Sequence, residues 1–432
     1  MTTHPHSTTS AGAAGRWSMF RALRHRNFQL FFAGQLISLI GTWMQTLAQS
    51  WLVYRLTKSA ALLGSVGFAA QIPVLFLGPV AGIVADRHRR HRIVIATQTA
   101  MMLQALLIAA LTLAKIITVE EIFVLAFLLG VCNAYDIPAR QSFLVEMVGQ
   151  DDLMNAIALN SSMFNSARII GPAVAGIMVA ALGEGMCFLL NGISFIAVIA
   201  GLLLMRIENE PVDRKGRGKM QQLREGLHYV YKNPGLRSLL LLLGVVSLSG
   251  MSYMILMPIF ADQILHQGAR GLGWLMTAAG FGALMAALWL ARRKQVLGLD
   301  RVVAWATASF GVSLILFGFS KDFWLSCVLL VPAGFAVMVQ MAATNTLVQS
   351  IVTDSMRGRI MGFYTMMFLG IAPFGSLIAG FLAQRFSAPL AVKLGGVACV
   401  VCALIFNSQL RSLKIDEQLT ISIPEASSDA LS

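Results

Sequence analysis

The sequence predicts an all-α membrane protein with twelve transmembrane helices in two pseudo-symmetric six-helix bundles. Three observations predict it. Of 432 residues, 57% are hydrophobic and only 12% charged, whereas soluble globular chains carry about 25% charged residues. The apolar residues gather into runs of bilayer length, and mean hydropathy is +0.72. Lys and Arg fall in bursts between those runs, with an excess in every second loop. The first observation alone excludes a soluble enzyme, because so few charges could not keep the surface of a chain this long in water.

A hydrocarbon core of about 30 Å needs about 20 residues of helix. Residues 1–27 are polar and basic with no apolar core, so they read as an N-terminal arm and no cleaved signal is expected. Trp17, Phe20 and Leu23 among its arginines suit an interfacial anchor. The first bundle then occupies 28–206, with spans at 28–54, 62–85, 93–115, 121–141, 154–181 and 185–206. Residues 207–235 form a linker whose second part sets Met220, Leu223, Leu227 and Val230 on one helical face, as expected of a helix lying on the membrane surface. The second bundle occupies 236–410, with spans at 236–260, 271–291, 301–320, 322–348, 358–384 and 389–409; a tail covers 411–432. No run has the strict alternation of a barrel strand, and a helix satisfies its own backbone in lipid.

Charge placement predicts the topology. The arm, the even-numbered loops and the tail hold 25 of the 33 Lys and Arg residues, the odd-numbered loops seven, and Arg168 lies inside a span. Both termini are therefore expected in the cytoplasm. The net charge of +13 is a topology signal. Nucleic acid is not an expected partner, since the basic residues do not gather on one aromatic-interleaved face. All five cysteines lie in apolar runs and all seven histidines outside them. That distribution offers no metal site, no disulfide framework and no intramembrane histidine relay.

The halves echo each other, as in transporters built from repeats. Gly171-Pro172-Ala173-Val174-Ala175-Gly176 in span 5 matches Phe374-Gly375-Ser376-Leu377-Ile378-Ala379-Gly380 in span 11, and Leu63-Gly64 matches Leu272-Gly273. Span 1 carries Gln35, Ser38, Thr42, Gln45, Thr46 and Gln49 within an arc of about 100°. Such a polar stripe belongs inside the bundle, lining a water-filled cavity or bonding neighbouring helices. Gln71, Tyr253, Met254, Gln340 and Met341 are further cavity candidates. Two charges stand out within the spans, Asp136 as the one clear acid and Arg168 as the one basic residue deep in a span. Asp136 shares a face with Asn133 and Arg140, and reads either as a proton carrier or as one side of an ion pair with Arg90 or Arg140. Arg168 shares a face with Ser161, Asn165 and Pro172, and reads as a contact for an anionic substrate group or as a side chain held by Asn165 and backbone carbonyls.

The loop after span 2, Gly82-x-x-x-Asp86-Arg87-x-Arg89-Arg90-x-Arg92, resembles the signature loop of the major facilitator superfamily, with Arg89 in place of its second glycine. The resemblance implies a conformational latch formed by Gly82, Asp86, Arg87, Arg90, Asp136 and Arg140. Asp86 would meet the positive dipole end of span 11, and Arg90 the acid Asp136. The C-terminal copy, Leu290-Ala291-Arg292-Arg293-Lys294, has no acid. Residues 167–176 resemble the span-5 motif of drug–proton antiporters with Ala167 and Ala175 replacing two glycines, and Gly171-Pro172 would allow a bend. Gly34 to Gly41, Trp51 to Thr57, Ile137 to Gln141 and Ser166 to Pro172 together resemble the enterobactin-exporter-like group, which includes siderophore and macrolide efflux proteins. That resemblance implies proton-driven export of a small, often amphipathic compound across a bacterial inner membrane.

The combined reading is a monomeric secondary transporter working by alternating access, with a small-molecule substrate, the lipid bilayer and protons as partners and no cofactor. No Gly-x-x-x-x-Gly-Lys-Ser/Thr loop is present, so direct ATP coupling within this chain is not expected. An importer or lysophospholipid flippase of the same fold is the alternative. An intramembrane enzyme is not expected, because the spans hold no nucleophile–base constellation.

Overall fold

The computed structural model describes residues 18–206, 219–293 and 298–413. Among them, twelve helical stretches are long and apolar enough to cross a membrane. A short 3-10 helix, Ser18–Arg24, precedes α1 (Arg26–Thr57), α2 (Ala60–Arg87), α3 (Arg90–Leu113), α4 (Val119–Val148), α5 (Leu153–Leu182) and α6 (Glu184–Leu203). Next come α7 (Lys219–Lys232) and the seventh span, made of α8 (Pro234–Val245) and α9 (Tyr253–Ile259) with π-helical turns at Val246–Gly250 and Phe260–Ile264. The chain continues as α10 (Gly268–Arg292), α11 (Leu299–Phe319) and α12 (Phe323–Ile351). The eleventh span joins α13 (Asp354–Thr365) to α14 (Ala372–Arg385) through a π turn at Met366–Gly370, and α15 (Ala388–Leu413) is the twelfth.

Local chemistry sets several boundaries. Ser59 caps α2 by accepting from the Leu62 N–H, and Thr118 and Glu121 form a reciprocal capping box on α4. Asn233 caps α8, with Pro234 supplying a first-turn residue that needs no hydrogen bond. One expected boundary is corrected. The fourth span runs to Val148 and not to 141, because Phe143, Leu144, Met147 and Val148 are buried in the first bundle's core and carry the helix onward.

Within the first bundle the helices neighbour one another in the order α5, α1, α6, α3, α4, α2; the second bundle repeats it as α13/α14, α8/α9, α15, α11, α12, α10. The bundles meet along two seams, α2 on α14 and α5 on α10. In lipid, apolar burial does not drive helices together, so close backbone approach matters more. The repeated glycines provide it. A Cβ on Gly176 would sit 2.8 Å from Gly273 Cα, and one on Gly380 would sit 2.9 Å from Gly64 Cα. Both crossings lie towards the end remote from the described termini, here called the distal end.

The two ends of the molecule differ in packing. Distally, one apolar core crosses both bundles and includes Leu47, Tyr54 and Leu63 together with Leu256, Phe260 and Leu275. Towards the terminal end, the bundles hold separate cores: one around Phe28, Phe31 and Phe143, the other around Leu236, Leu347 and Ile360. There a Cβ on Gly78, Gly82, Gly358 or Gly362 would meet nothing within 4 Å. Phe76, Met154, Phe281 and Leu288 stand exposed on three of the seam helices, α2, α5 and α10. The molecule is therefore closed distally and cleft at its terminal end.

At that end, the 3-10 helix is tied to the start of α5. Asn155 accepts from the Ala22 N–H at 2.8 Å, and Asp152 bonds His25 at 2.9 Å and Arg21 at 3.2 Å. The His25 hydrogen bond and the nearby arginines hold the Asp152 carboxyl below its ordinary range. The expected apolar face of α7 is divided. Val230 is buried, Leu227 is exposed, and the Met220 and Leu223 side chains lie outside the described residues. The helix leans on α13 through Gly226, which turns Leu227 outward.

Gly176→Val places methyls where the Gly273 backbone lies and should force the distal seam apart. A cysteine introduced at Ala269, buried beside Gly176, is then expected to react several-fold faster with a membrane-impermeant maleimide. Unchanged labelling would show that the seam does not hold the distal end shut.

Candidate functional site

The cleft between the bundles is the candidate site. On α1, Gly34 and Gly41 press on α6, while Ile40 and Trp43 meet Gly171 of α5. Helical periodicity puts Thr42, Thr46 and Gln49 on the face turned away from both neighbours. Thr42 and Thr46 are exposed and Gln49 half-buried, so this part of the stripe borders the cleft. The two threonine hydroxyls bond back to the Ser38 and Thr42 carbonyls, which satisfies their donors locally.

The rest of the stripe turns elsewhere, a correction to the expected cavity lining. Gln45 donates to Gln104 Oε1 at 3.0 Å and accepts from Asn191 Nδ2 at 2.7 Å. This is an amide clamp binding α1 to α3 and α6. Gln35 and Ser38 are buried. Gln340 is buried too, bonding Thr344 of its own helix, and Tyr253 packs edge-on against Phe310. The physical reason is common to them all. A large polar side chain at a dry helix contact is stabilised by finding a partner or withdrawing from lipid, and the arc of a stripe does not say which neighbour is within reach. Gln35 Oε1 and Gln340 Oε1 still have no hydrogen-bond partner among the described residues.

Arg168 lies halfway along α5 at the α10 seam. Its Nη2 donates to Asn165 Oδ1 at 3.1 Å, and Asn165 in turn donates to the Ser161 carbonyl. The Arg168 Nε is buried without a partner among the described residues, and Tyr253 lies close enough to interact with the guanidinium electrostatically. Pro172 has no N–H to give the Arg168 carbonyl four residues earlier. That carbonyl lies against Gly280 of α10, while Thr277 donates to the next one, Ile169 O, at 3.3 Å. Pro172 thus frees one backbone acceptor, the Arg168 carbonyl, at the seam, inside an α5 that remains continuous.

Asp136 is deeper than its sequence position suggested. With α4 running to Val148, it lies about 18 Å from the helix end at 1.5 Å per residue. It is 1% exposed. Its carboxylate accepts from Thr97 Oγ1 and Gln98 Nε2, each at 2.9 Å, and pairs with Arg140 Nε at 3.1 Å. Arg90 does not reach it. Arg90 Nη1 pairs instead with Glu146 Oε1 at 2.8 Å. The reason is register: α3 and α4 run antiparallel, so the first residue of α3 faces the last turns of α4 and not a residue ten positions earlier. Arg87 and Arg89 are exposed. Asp86 is the penultimate residue of α2, and its side chain lies outside the described residues. In this conformation, Gly82 on α2 and Gly358 on α13 have open space beside them.

Sequence reasoning missed the distal fastening. Asp262 Oδ2 of the seventh span accepts from Tyr54 Oη at 2.7 Å and from Lys58 Nζ at 2.9 Å. Gln384 Oε1 accepts from the Ala60 N–H at 2.9 Å and Ser59 Oγ at 3.1 Å. Each contact joins one bundle to the other. The polar pair Asp262-Gln263, just beyond the apolar run that ended at 260, was the available signal.

Removing Arg140 would leave a buried carboxylate uncompensated. Arg140→Ala should destabilise the protein by about 3 kcal/mol, with part of the loss recovered in the double variant Asp136→Asn/Arg140→Ala. Thermal unfolding in detergent checks both, and equal losses in the two variants would count against the ion pair.

Comparison with known proteins fits this geometry. Residues 17–429 match the family described as transmembrane secretion effectors. The staphyloferrin A transporter of Staphylococcus aureus is 26% identical over 391 residues, covering 89% of this chain and 96% of that protein. The multidrug efflux pump Tap of Mycolicibacterium fortuitum is 26% identical over 357 residues, covering 80% and 86%. Among solved structures, the nucleoside transporter NupG superposes with a TM-score of 0.68 at 16% identity, covering 90% of this chain and 99% of that one. A bacterial homologue of the lysosomal transporter Spinster, in an inward-facing and unoccupied conformation, gives 0.66 at 12% identity, covering 95% and 99%. These last two likenesses are of fold. A cleft between two six-helix bundles, a match over nearly the whole chain and relatives that are transporters lead to one assignment: the chain belongs to the transmembrane secretion effector family, and it is a multi-pass membrane transporter of the major facilitator superfamily.

Proposed function

We propose that this transporter exports small amphipathic compounds from the cytoplasm, driven by protons moving inward, and that it works as a monomer by alternating access. The observation that carries the reading is the cleft itself, open at the terminal end, closed distally, and bordered by a half-buried arginine with an unfilled donor. The Lys and Arg excess at the terminal end orients that end to the cytoplasm, so the conformation is the one that loads from inside. Two of the relatives, a multidrug efflux pump and a transporter of staphyloferrin A, support export of small compounds across a bacterial plasma membrane.

Each group has a role in the proposed cycle. Arg168, positioned by Asn165, meets an anionic or strongly polar group of the substrate. Thr42, Thr46 and Gln49 line the opposite wall. Asp136 carries the coupling proton. Among the described buried carboxylates, Glu184 and Asp300 sit in the first turns of their helices, whereas Asp136 lies mid-helix. Protonation would cancel its charge against Arg140 and free that arginine, a discrete change at a helix contact of the kind that biases two-state elements. Separation of Asp262 from Tyr54 and Lys58, with Gln384 leaving Ala60, would open the distal end. Asp86 and Arg87 would close the terminal end after Gly82 approaches the start of α13.

Inverted vesicles from a strain expressing the protein should accumulate its substrates under an imposed inside-acid gradient and lose them with a protonophore. Accumulation only in right-side-out vesicles would instead identify an importer. Asp136→Asn should abolish gradient-driven accumulation while leaving substrate exchange across vesicles; retained gradient dependence would remove Asp136 from coupling. Arg168→Gln should raise KM for anionic substrates about ten-fold, as expected for loss of a charged hydrogen bond, with little change for neutral ones. An equal effect on both classes would assign Arg168 to structure alone.

A further inference from the structure

A recess of about 950 Å³ lies outside the transport cleft residues described above, where α7 crosses the start of the seventh and eleventh spans. Its walls are apolar: Leu240 and Leu241 from α8 face Phe363, Met366 and Met367 from the eleventh span. Leu227, Tyr231, Leu241 and Met366 are exposed, so none of the described residues covers this apolar surface. Along α7, Arg224, Leu227, His228 and Tyr231 recur at the spacing of one helical face, and all four border the recess. Arg237 stands beside them with its guanidinium 5.7 Å from the centre of the Tyr231 ring.

The charge at the rim is unbalanced. Among the described residues, Glu225 is the only acid lining the recess, and Arg359 engages it at 2.8 Å. Neither Arg224 nor Arg237 has an ion-pair partner among the described residues. Because α7 ends two residues before the span begins at Pro234, these cations stand at headgroup depth while the apolar walls continue towards the acyl region. Basic pockets at such a level attract anionic lipid headgroups.

We infer that this recess holds an anionic glycerophospholipid of the surrounding leaflet. The phosphate lies between Arg224 and Arg237 with His228 as a further donor, and an acyl chain runs over Leu240, Leu241 and Met366. The bound lipid covers the exposed apolar face and fastens α7 to the seventh and eleventh spans. The inference depends on the membrane fold and not on the direction or coupling of transport.

Native mass spectrometry of the purified full chain, titrated separately with phosphatidylglycerol and phosphatidylcholine, tests it. Phosphatidylglycerol should be retained preferentially, and Arg224→Gln/Arg237→Gln should lower its affinity by roughly 10- to 30-fold while leaving phosphatidylcholine binding unchanged. Arg224→Lys/Arg237→Lys should keep most of the preference, which separates charge from misfolding. Equal retention of the two lipids, or unchanged phosphatidylglycerol affinity in the glutamine variant, overturns the inference. So would phosphatidylglycerol binding that appears only after residues 414–432 are removed, since that acidic segment would then be the occupant.

Discussion

Two glycine-on-glycine crossings, Gly64 with Gly380 and Gly176 with Gly273, are the contacts on which the rest of the arrangement depends. A lipid-embedded protein cannot rely on water to press its halves together, because acyl chains solvate leucine as well as another leucine does. What remains is close packing, and removing Cβ atoms lets two backbones approach to where dispersion is effective. Both crossings lie in the distal half of their helices. Beyond them three of these helices, α2, α5 and α10, carry Phe76, Met154, Phe281 and Leu288 into open space. One end is thereby sealed and the other left as a cleft, with no need for a separate domain or lid. The polar contacts Tyr54–Asp262, Lys58–Asp262 and Ala60–Gln384 then fasten the sealed end with bonds that water could replace when it opens.

Buried polar groups follow a second rule, that each must find a partner or leave the lipid. The Gln45–Gln104–Asn191 clamp and the Asp136 site, with donors from Thr97, Gln98 and Arg140, obey it and tie helices of the first bundle together. The incomplete cases are more informative. Arg168 Nε, Gln35 Oε1 and Gln340 Oε1 lack partners among the described residues. Arg168 combines that vacancy with a position at the seam, and Pro172 frees a backbone carbonyl beside it. A group stabilised only in part by its own protein is suited to meeting a ligand.

The halves are not equivalent mechanically. Among the described residues, π-helical turns occur at Val246–Gly250, Phe260–Ile264 and Met366–Gly370, all in the second bundle. The first and third of these are neighbours, joined by a hydrogen bond from Ser247 Oγ to the Phe368 carbonyl. Each π turn widens a helix by one residue and relaxes its ladder, so the seventh and eleventh spans can redirect their terminal halves without breaking. The corresponding spans of the first bundle, α1 and α5, are uninterrupted α-helices. Basic charge is likewise uneven, with the acid of the signature loop missing from its second copy.

The sequence by itself determined the solvent, the twelve spans and the two intramembrane charges. Those follow from composition and from periodicity along one chain, which local physics sets. It also placed the repeated glycines, although not their purpose. Tertiary structure alone decided the partners: Glu146 for Arg90, Arg140 for Asp136, and Gln104 and Asn191 for Gln45. A partner depends on the register between helices remote in sequence. Extending α4 by seven residues was enough to move Asp136 from a helix end to the interior. Which end of the cleft stands open was equally invisible in the sequence. The two-fold repeat makes both ends nearly alike in pattern, and only the packing of one seam against the other distinguishes them.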